Sequence, residues 1–112
     1  MPRPIRGEVW LVDLGLAAKV RPCLVVSIPI EDKDRALVTV LAHTTSARGS
    51  GFEVTVKSAF LREGVFDAQN IVTIPQAKFL RRLGLLSNDA FRDVEKALCR
   101  WLGIQATSDV HG

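Results

Sequence analysis

The 112-residue sequence has only two cysteines and two histidines. They are too few and too far apart to make a metal-ligand set or a disulfide framework. Cys23 lies in an apolar run and Cys99 in a helix-like segment, so both are assigned to packing. No phosphate-loop or dinucleotide fingerprint is present. Its nearest approach, Gly49-Ser50-Gly51, leads into a strand-like stretch where those motifs need a helix. Familiar NTPase and redox chemistry are excluded on that basis. No apolar run approaches the ~20 residues of a membrane span, and Met1-Pro2-Arg3-Pro4-Ile5-Arg6 lacks the apolar centre of a signal peptide. The expectation is a cytoplasmic protein with no membrane contact. Repeats, low-complexity tracts and linkers are missing too, which leaves one domain over residues 1–112 with a flexible tail from about residue 105. Since His111 falls in that tail, a nuclease working with two histidines is disfavoured.

The sequence is 47% hydrophobic, enough for a modest core in one compact domain. The formal charge is only +3, yet ten of the fifteen basic residues are arginine, whose planar fork suits phosphate better than a lysine ammonium does. This balance points to a polyanionic partner. With twelve acidic residues present, it also fits a merely solvated cationic surface.

Alternating and apolar runs predict strands over residues 6–14, 20–27, 36–42, 52–56 and 66–74, separated by Gly, Pro and charged turns. The link over residues 15–19 is short enough to make its flanking strands antiparallel neighbours. Residues 31–35 read as a solvated charged turn, and residues 43–51 as a mobile polar loop whose backbone N–H groups and Arg48 could meet phosphates. Residues 76–83 are basic and amphipathic, a short strand or a helical turn. Ser87 caps a helix with Asp89 in its first turn; Phe91, Val94, Leu98, Trp101 and Leu102 form an apolar stripe, and Gly103 ends it. Strands first and one late helix predict a mainly β domain: a small, curved antiparallel sheet or open barrel closed by a C-terminal helix.

The candidate chemistry centres on Arg21. Pro22 holds it in extended geometry at the start of a buried strand, and a second strand end, His43-Thr44-Thr45-Ser46, can bring hydroxyls beside it. RNA supplies its own nucleophile, the 2′-hydroxyl, so a protein can cleave it by alignment and charge stabilisation alone. Arg21 suits charge stabilisation because arginine stays protonated. Should a base be needed, His43 is the side chain with a suitable resting pKa. The same histidine also fits a plain strand-end role.

Arg6-Gly7-Glu8-Val9-Trp10-Leu11-Val12-Asp13, Arg21-Pro22-Cys23-Leu24-Val25-Val26-Ser27, Thr44-Thr45-Ser46, Phe52-Glu53-Val54 and Gln69-Asn70-Ile71 follow one another in an order that resembles the MazF/PemK family of toxin endoribonucleases. The resemblance implies an SH3-like curved barrel and a homodimer. It further implies metal-independent cutting of single-stranded RNA at short sequences, 2′,3′-cyclic phosphate and 5′-hydroxyl ends, no cofactor, and a cognate antitoxin that blocks the RNA groove. It assigns the essential arginine to Arg21, the catalytic threonine to Thr44 with Thr45 as the alternative, and an RNA contact to Gln69. Ser46, Arg48, Lys19 and Arg6 complete the candidate RNA contacts, with His43 as the candidate base. The residue 15–20 link is shorter than the Gly-rich loop usual before the family's Arg-Pro pair. Two other readings stay open. One is a gyrase poison like CcdB, suggested by Trp101-Leu102-Gly103-Ile104; the other is an RNA-binding module without activity.

Overall fold

The computed structural model describes residues 2–105, so the expected tail lies outside the described residues from residue 106 onward. Six strands precede one helix: β1 Glu8–Asp13, β2 Val20–Val25, β3 Leu37–Thr44, β4 Glu53–Thr55, β5 Val65–Pro75, β6 Phe79–Leu85 and α1 Asn88–Leu102. All strand pairs are antiparallel, in the order β4-β5-β3-β2-β1-β6. The two end strands do not pair with each other, so the mainly β fold is a curled sheet that stops short of closing. No helix among the described residues is long and apolar enough to cross a membrane.

Both faces of this sheet are apolar, because the central strands carry large side chains on either side of the pleat. Val9, Leu24, Leu41 and Phe66 point to one face and pack with Val94 of α1. Val12, Cys23, Val25, Val40 and Ala42 point to the other and pack with Phe79. These second-face residues are buried without a covering helix among the described residues, which is what curling achieves: the strands shield one another. Burial also pushes the Cys23 thiol up to about 12, only partly offset by the charge of Arg21. Its role is that of a small apolar group.

Strand and helix positions follow the periodicity with two informative differences. β3 runs to Thr44, two residues beyond the predicted strand, so His43 and Thr44 belong to the sheet and not to the loop. The stretch after Pro75 is both things it could have been: a 3-10 turn over Gln76–Lys78, then edge strand β6 beside β1. Ser87 accepts a hydrogen bond from the Ala90 N–H, and Gly103 ends the helix in the left-handed region at φ 71°. Val94 and Ala97 are the helix's buried residues, whereas Trp101 and Leu102, expected in the same stripe, are exposed.

Arg6 ties this layer together. Its Nε donates to the Val26 carbonyl at 3.0 Å, its guanidinium pairs with Glu95 of α1, and it lies 4.5 Å over the Phe91 ring. Near the same end, Glu8 accepts from the Ile5 N–H, Trp10 Nε1 and Arg82 Nε. Burial alone would raise its pKa, but these hydrogen bonds and the Arg82 charge bring it below the ordinary value. Ser87→Ala should cost about 1 kcal/mol in urea unfolding, with the m-value unchanged. A loss below about 0.3 kcal/mol would mean that the cap does not hold the helix start.

Candidate functional site

The β2–β3 ladder pairs Cys23 with Ala42, Leu24 with Leu41 and Val25 with Val40. Continued two residues, the same register sets Arg21 across from Thr44. Because side chains alternate with period two, both share the face of Cys23 and Ala42. Neighbours placed so have Cβ atoms about 5 Å apart. Thr44 is the last residue of β3 and is half-buried, whereas Thr45 lies beyond the strand's end and is exposed. Thr44 is also fixed by its neighbour, since its Oγ1 accepts the Ser46 N–H at 3.0 Å. That leaves the hydroxyl hydrogen available to another acceptor.

Arg21 and Thr44 line two open hollows that meet at this pair. The first, about 660 Å³, includes Lys19, His43, Thr45, Phe60, Arg62 and Arg81. The second, about 760 Å³, includes Ser46, Arg48, Asp67, Gln69, Asn70 and Trp101. Gln69 and Asn70 reach it because β5 is bulged. Between two matched positions it takes five steps, from Ile71 to Phe66, while β3 takes two, from Leu41 to His43. The extra residues bow outward, and an Asp67 Oδ1 bond to the Gln69 N–H at 3.0 Å fixes their turn.

His43 faces the helix-side core, one residue and one face away from Thr44. Its ring meets Phe66 edge-on at 5.1 Å, it is 4% exposed, and its Nε2 is buried without a hydrogen-bond partner. Burial lowers its pKa, so the imidazole is neutral at pH 7. Gly64 explains the tight fit. A Cβ there would lie 2.8 Å from His43 Cε1 and would collide with the Thr44 carbonyl oxygen. As a base, His43 is therefore in the right protonation state but closed in.

The structure brings together eight of the nine candidate residues, and Arg6 is the one set apart. It lines neither hollow and is engaged by α1. Several N–H groups of the residue 43–51 loop, expected to be able to meet phosphates, have acceptors within the protein. Those of Arg48, Gly49 and Ser50 all donate to the Glu53 carboxylate, and that of Ser46 donates to Thr44. The Arg48 N–H foremost, joined by those of Gly49 and Ser50 and by the Arg48 charge, brings Glu53 below the ordinary carboxylate pKa against an opposing effect of burial. Sequence reasoning missed Arg62, Arg81 and Asp67, whose positions depend on long-range pairing. It also missed Trp101, which stands edge-on to Phe52 at 5.4 Å as a wall of the second hollow. Among the described residues no group of three or more His, Cys, Asp or Glu side chains is placed to hold a metal ion.

Residues 5–102 match the family described as PemK-like, MazF-like toxin of type II toxin-antitoxin system. The Mycobacterium tuberculosis protein named endoribonuclease MazF4 is 30% identical over 104 residues, covering 93% of this chain and 97% of the relative. A mycobacterial endoribonuclease solved in complex with its cognate antitoxin superposes with a TM-score of 0.78 at 26% identity, over 95% of this chain and 99% of that one. The toxin in a MazE-MazF crystal structure from Deinococcus radiodurans shares the fold, with a TM-score of 0.79 at 22% identity over 94% and 100% of the two chains.

Two outcomes follow from His43 and its neighbour. Gly64→Ala should lower unfolding stability by about 1–3 kcal/mol through overpacking, read by urea titration; an unchanged midpoint would mean that the Thr44 carbonyl gives way freely. A neutral buried histidine binds its proton less readily than the unfolded chain does. Its stability contribution is therefore complete above about pH 7.5 and is lost as the pH falls through its ordinary value of 6.5. Stability measured from pH 7.5 to 5.5 should fall, and His43→Phe should flatten that slope. An identical slope in the variant would show that another group is responsible.

Proposed function

The chain belongs to the PemK-like, MazF-like toxins of type II toxin-antitoxin systems, and from that premise we propose that it cuts single-stranded RNA at short sequences without a metal ion. It is an endoribonuclease and the toxin of such a pair. The observation that supports the mechanism is that Arg21 and Thr44 both line each of the two open hollows.

In the proposed reaction the O2′ of a ribose bonds to the adjacent phosphorus and the bond from phosphorus to O5′ breaks. The products are a 2′,3′-cyclic phosphate and a 5′-hydroxyl. Arg21 faces the phosphate and stabilises charge that builds on the non-bridging oxygens; its permanent protonation suits that task and no other. Thr44 donates its hydroxyl hydrogen to the same group, since its oxygen is already occupied by the Ser46 N–H. The proton leaving O2′ and the proton reaching O5′ need carriers. His43 is neutral and so able to accept, once Gly64 moves from against its ring. Water in the open groove serves otherwise.

Gln69, Ser46, Arg48 and Lys19 flank this pair and support the reading of both hollows as one RNA groove. The working form is a homodimer in the cytoplasm, needing no cofactor and silenced by a cognate antitoxin that covers the groove. Lys19, which ends the short link over residues 15–19, lines the first hollow. Trp101 stands edge-on to Phe52 beside that groove.

The test is to incubate the protein with long single-stranded RNA in EDTA and map the new ends. Cuts at one short motif with 5′-hydroxyl ends are expected. Arg21→Ala should slow cutting by about 100-fold or more. Random degradation, or an Arg21→Ala protein cutting at full rate, would defeat the mechanism. RNA retention with no new ends would mean a binding module instead.

A further inference from the structure

The two hollows that meet at Arg21 and Thr44 differ in chemistry. In the first, Lys19, Arg62 and Arg81 join Arg21, and no carboxylate lines the space. Arg62 and Arg81 are exposed, and among the described residues neither side chain has an ion pair or hydrogen bond. Arg81 sits on edge strand β6 across from Leu11, so the strand holds it at the wall of the hollow. Apart from Thr44, Thr45 and His43, the remaining wall is apolar. Phe60 is held there because Gly84 leaves it room: a Cβ on Gly84 would lie 2.5 Å from its ring. A ring so fixed offers a base a stacking surface that does not distinguish one base from another. The imidazole of His43 on the same wall is uncharged and turned inward.

The second hollow also has cations, Arg21 and Arg48, but unlike the first it is lined by carboxylates, Glu53 and Asp67. Asp67, Gln69 and Asn70 stand on the outward bulge of β5, giving carboxylate and amide groups that both accept and donate. A carboxylate repels phosphate but accepts hydrogen bonds from a base amino group. Side-chain amides can bond two atoms of one base edge at once. One Asp67 oxygen is held by the Gln69 N–H, which leaves the other for a ligand.

Building on the endoribonuclease reading, we propose that the groove is divided at the cut. On this assignment Lys19, Arg62 and Arg81 track the phosphates of the RNA on one side, while Asp67, Gln69 and Asn70 read base edges on the other. Sequence selectivity is then concentrated on a single side of the scissile phosphate. Arg62 and Arg81 raise affinity for every sequence alike, and Asp67 and Asn70 decide which sequence is bound best.

The experiment uses the full chain and a pool of random single-stranded RNA carrying 2′-fluoro groups, which lacks the nucleophile and so reports binding whether or not the protein cuts. An Arg62→Ala/Arg81→Ala protein should bind the pool more weakly. Its slope of log affinity against log salt should be shallower by about 1.4, which is two phosphate contacts on a single strand, and its enriched sequences should be unchanged. Asn70→Ala and Asp67→Ala should keep the slope and change the enriched sequences. A double-arginine variant with the wild-type slope, or one that shifts the enriched sequences, overturns the division. Ordinary RNA incubated with wild-type protein in parallel separates the two ideas. Cutting with unaffected arginine variants sinks the division alone. Binding that follows the expected pattern without cutting sinks the endoribonuclease mechanism alone, and no binding at all sinks both.

Discussion

The register of the β2–β3 ladder is the constraint on which the rest depends. It is set by Cys23, Leu24 and Val25 against Ala42, Leu41 and Val40, side chains that are all buried and divided between two cores. A slip of one residue would turn each of them to the wrong face. The apolar interior thus fixes which faces of β2 and β3 look outward at the ends that carry Arg21 and Thr44. The groove chemistry is a by-product of hydrophobic bookkeeping in the middle of the sheet.

Polar groups at the margins of those cores are handled in two ways. Glu8 is nearly buried but is met by three donors, so its charge is retained and links the entry to β1 with Arg82 on the edge strand. His43 is equally buried with one nitrogen unmet, and it is kept neutral instead. An unmet buried nitrogen costs stability, on the order of 1–3 kcal/mol. That cost falls one residue from Thr44, where a function can justify it.

Much of the fold was legible because burial on both sheet faces leaves apolar runs that alternate or persist, and because Ser87 and Gly103 are explicit helix punctuation. Arg21 was legible from Pro22 beside it. The extension of β3 through His43 and Thr44 was not, since a His-Thr-Thr-Ser string has the composition of a loop; its strand geometry comes from pairing with Phe66 and Val65, far along the chain. Arg6 read as a candidate RNA contact in the sequence, and only the packing of α1 reveals Glu95 and Phe91 around it. Arg62, Arg81 and Asp67 carried no local signal, because a cationic or amide-rich wall exists only after distant strands have met.

Glu53 gives the residue 45–51 loop an anion of its own. With Arg48, Gly49 and Ser50 already gathered around that carboxylate, the loop needs no guest to take its shape. An arriving strand of nucleic acid meets a finished surface, and little of its binding free energy is spent on arranging the host. Differences in affinity between one oligonucleotide and another will therefore reflect the contacts each makes, and association should be fast because it waits on no refolding.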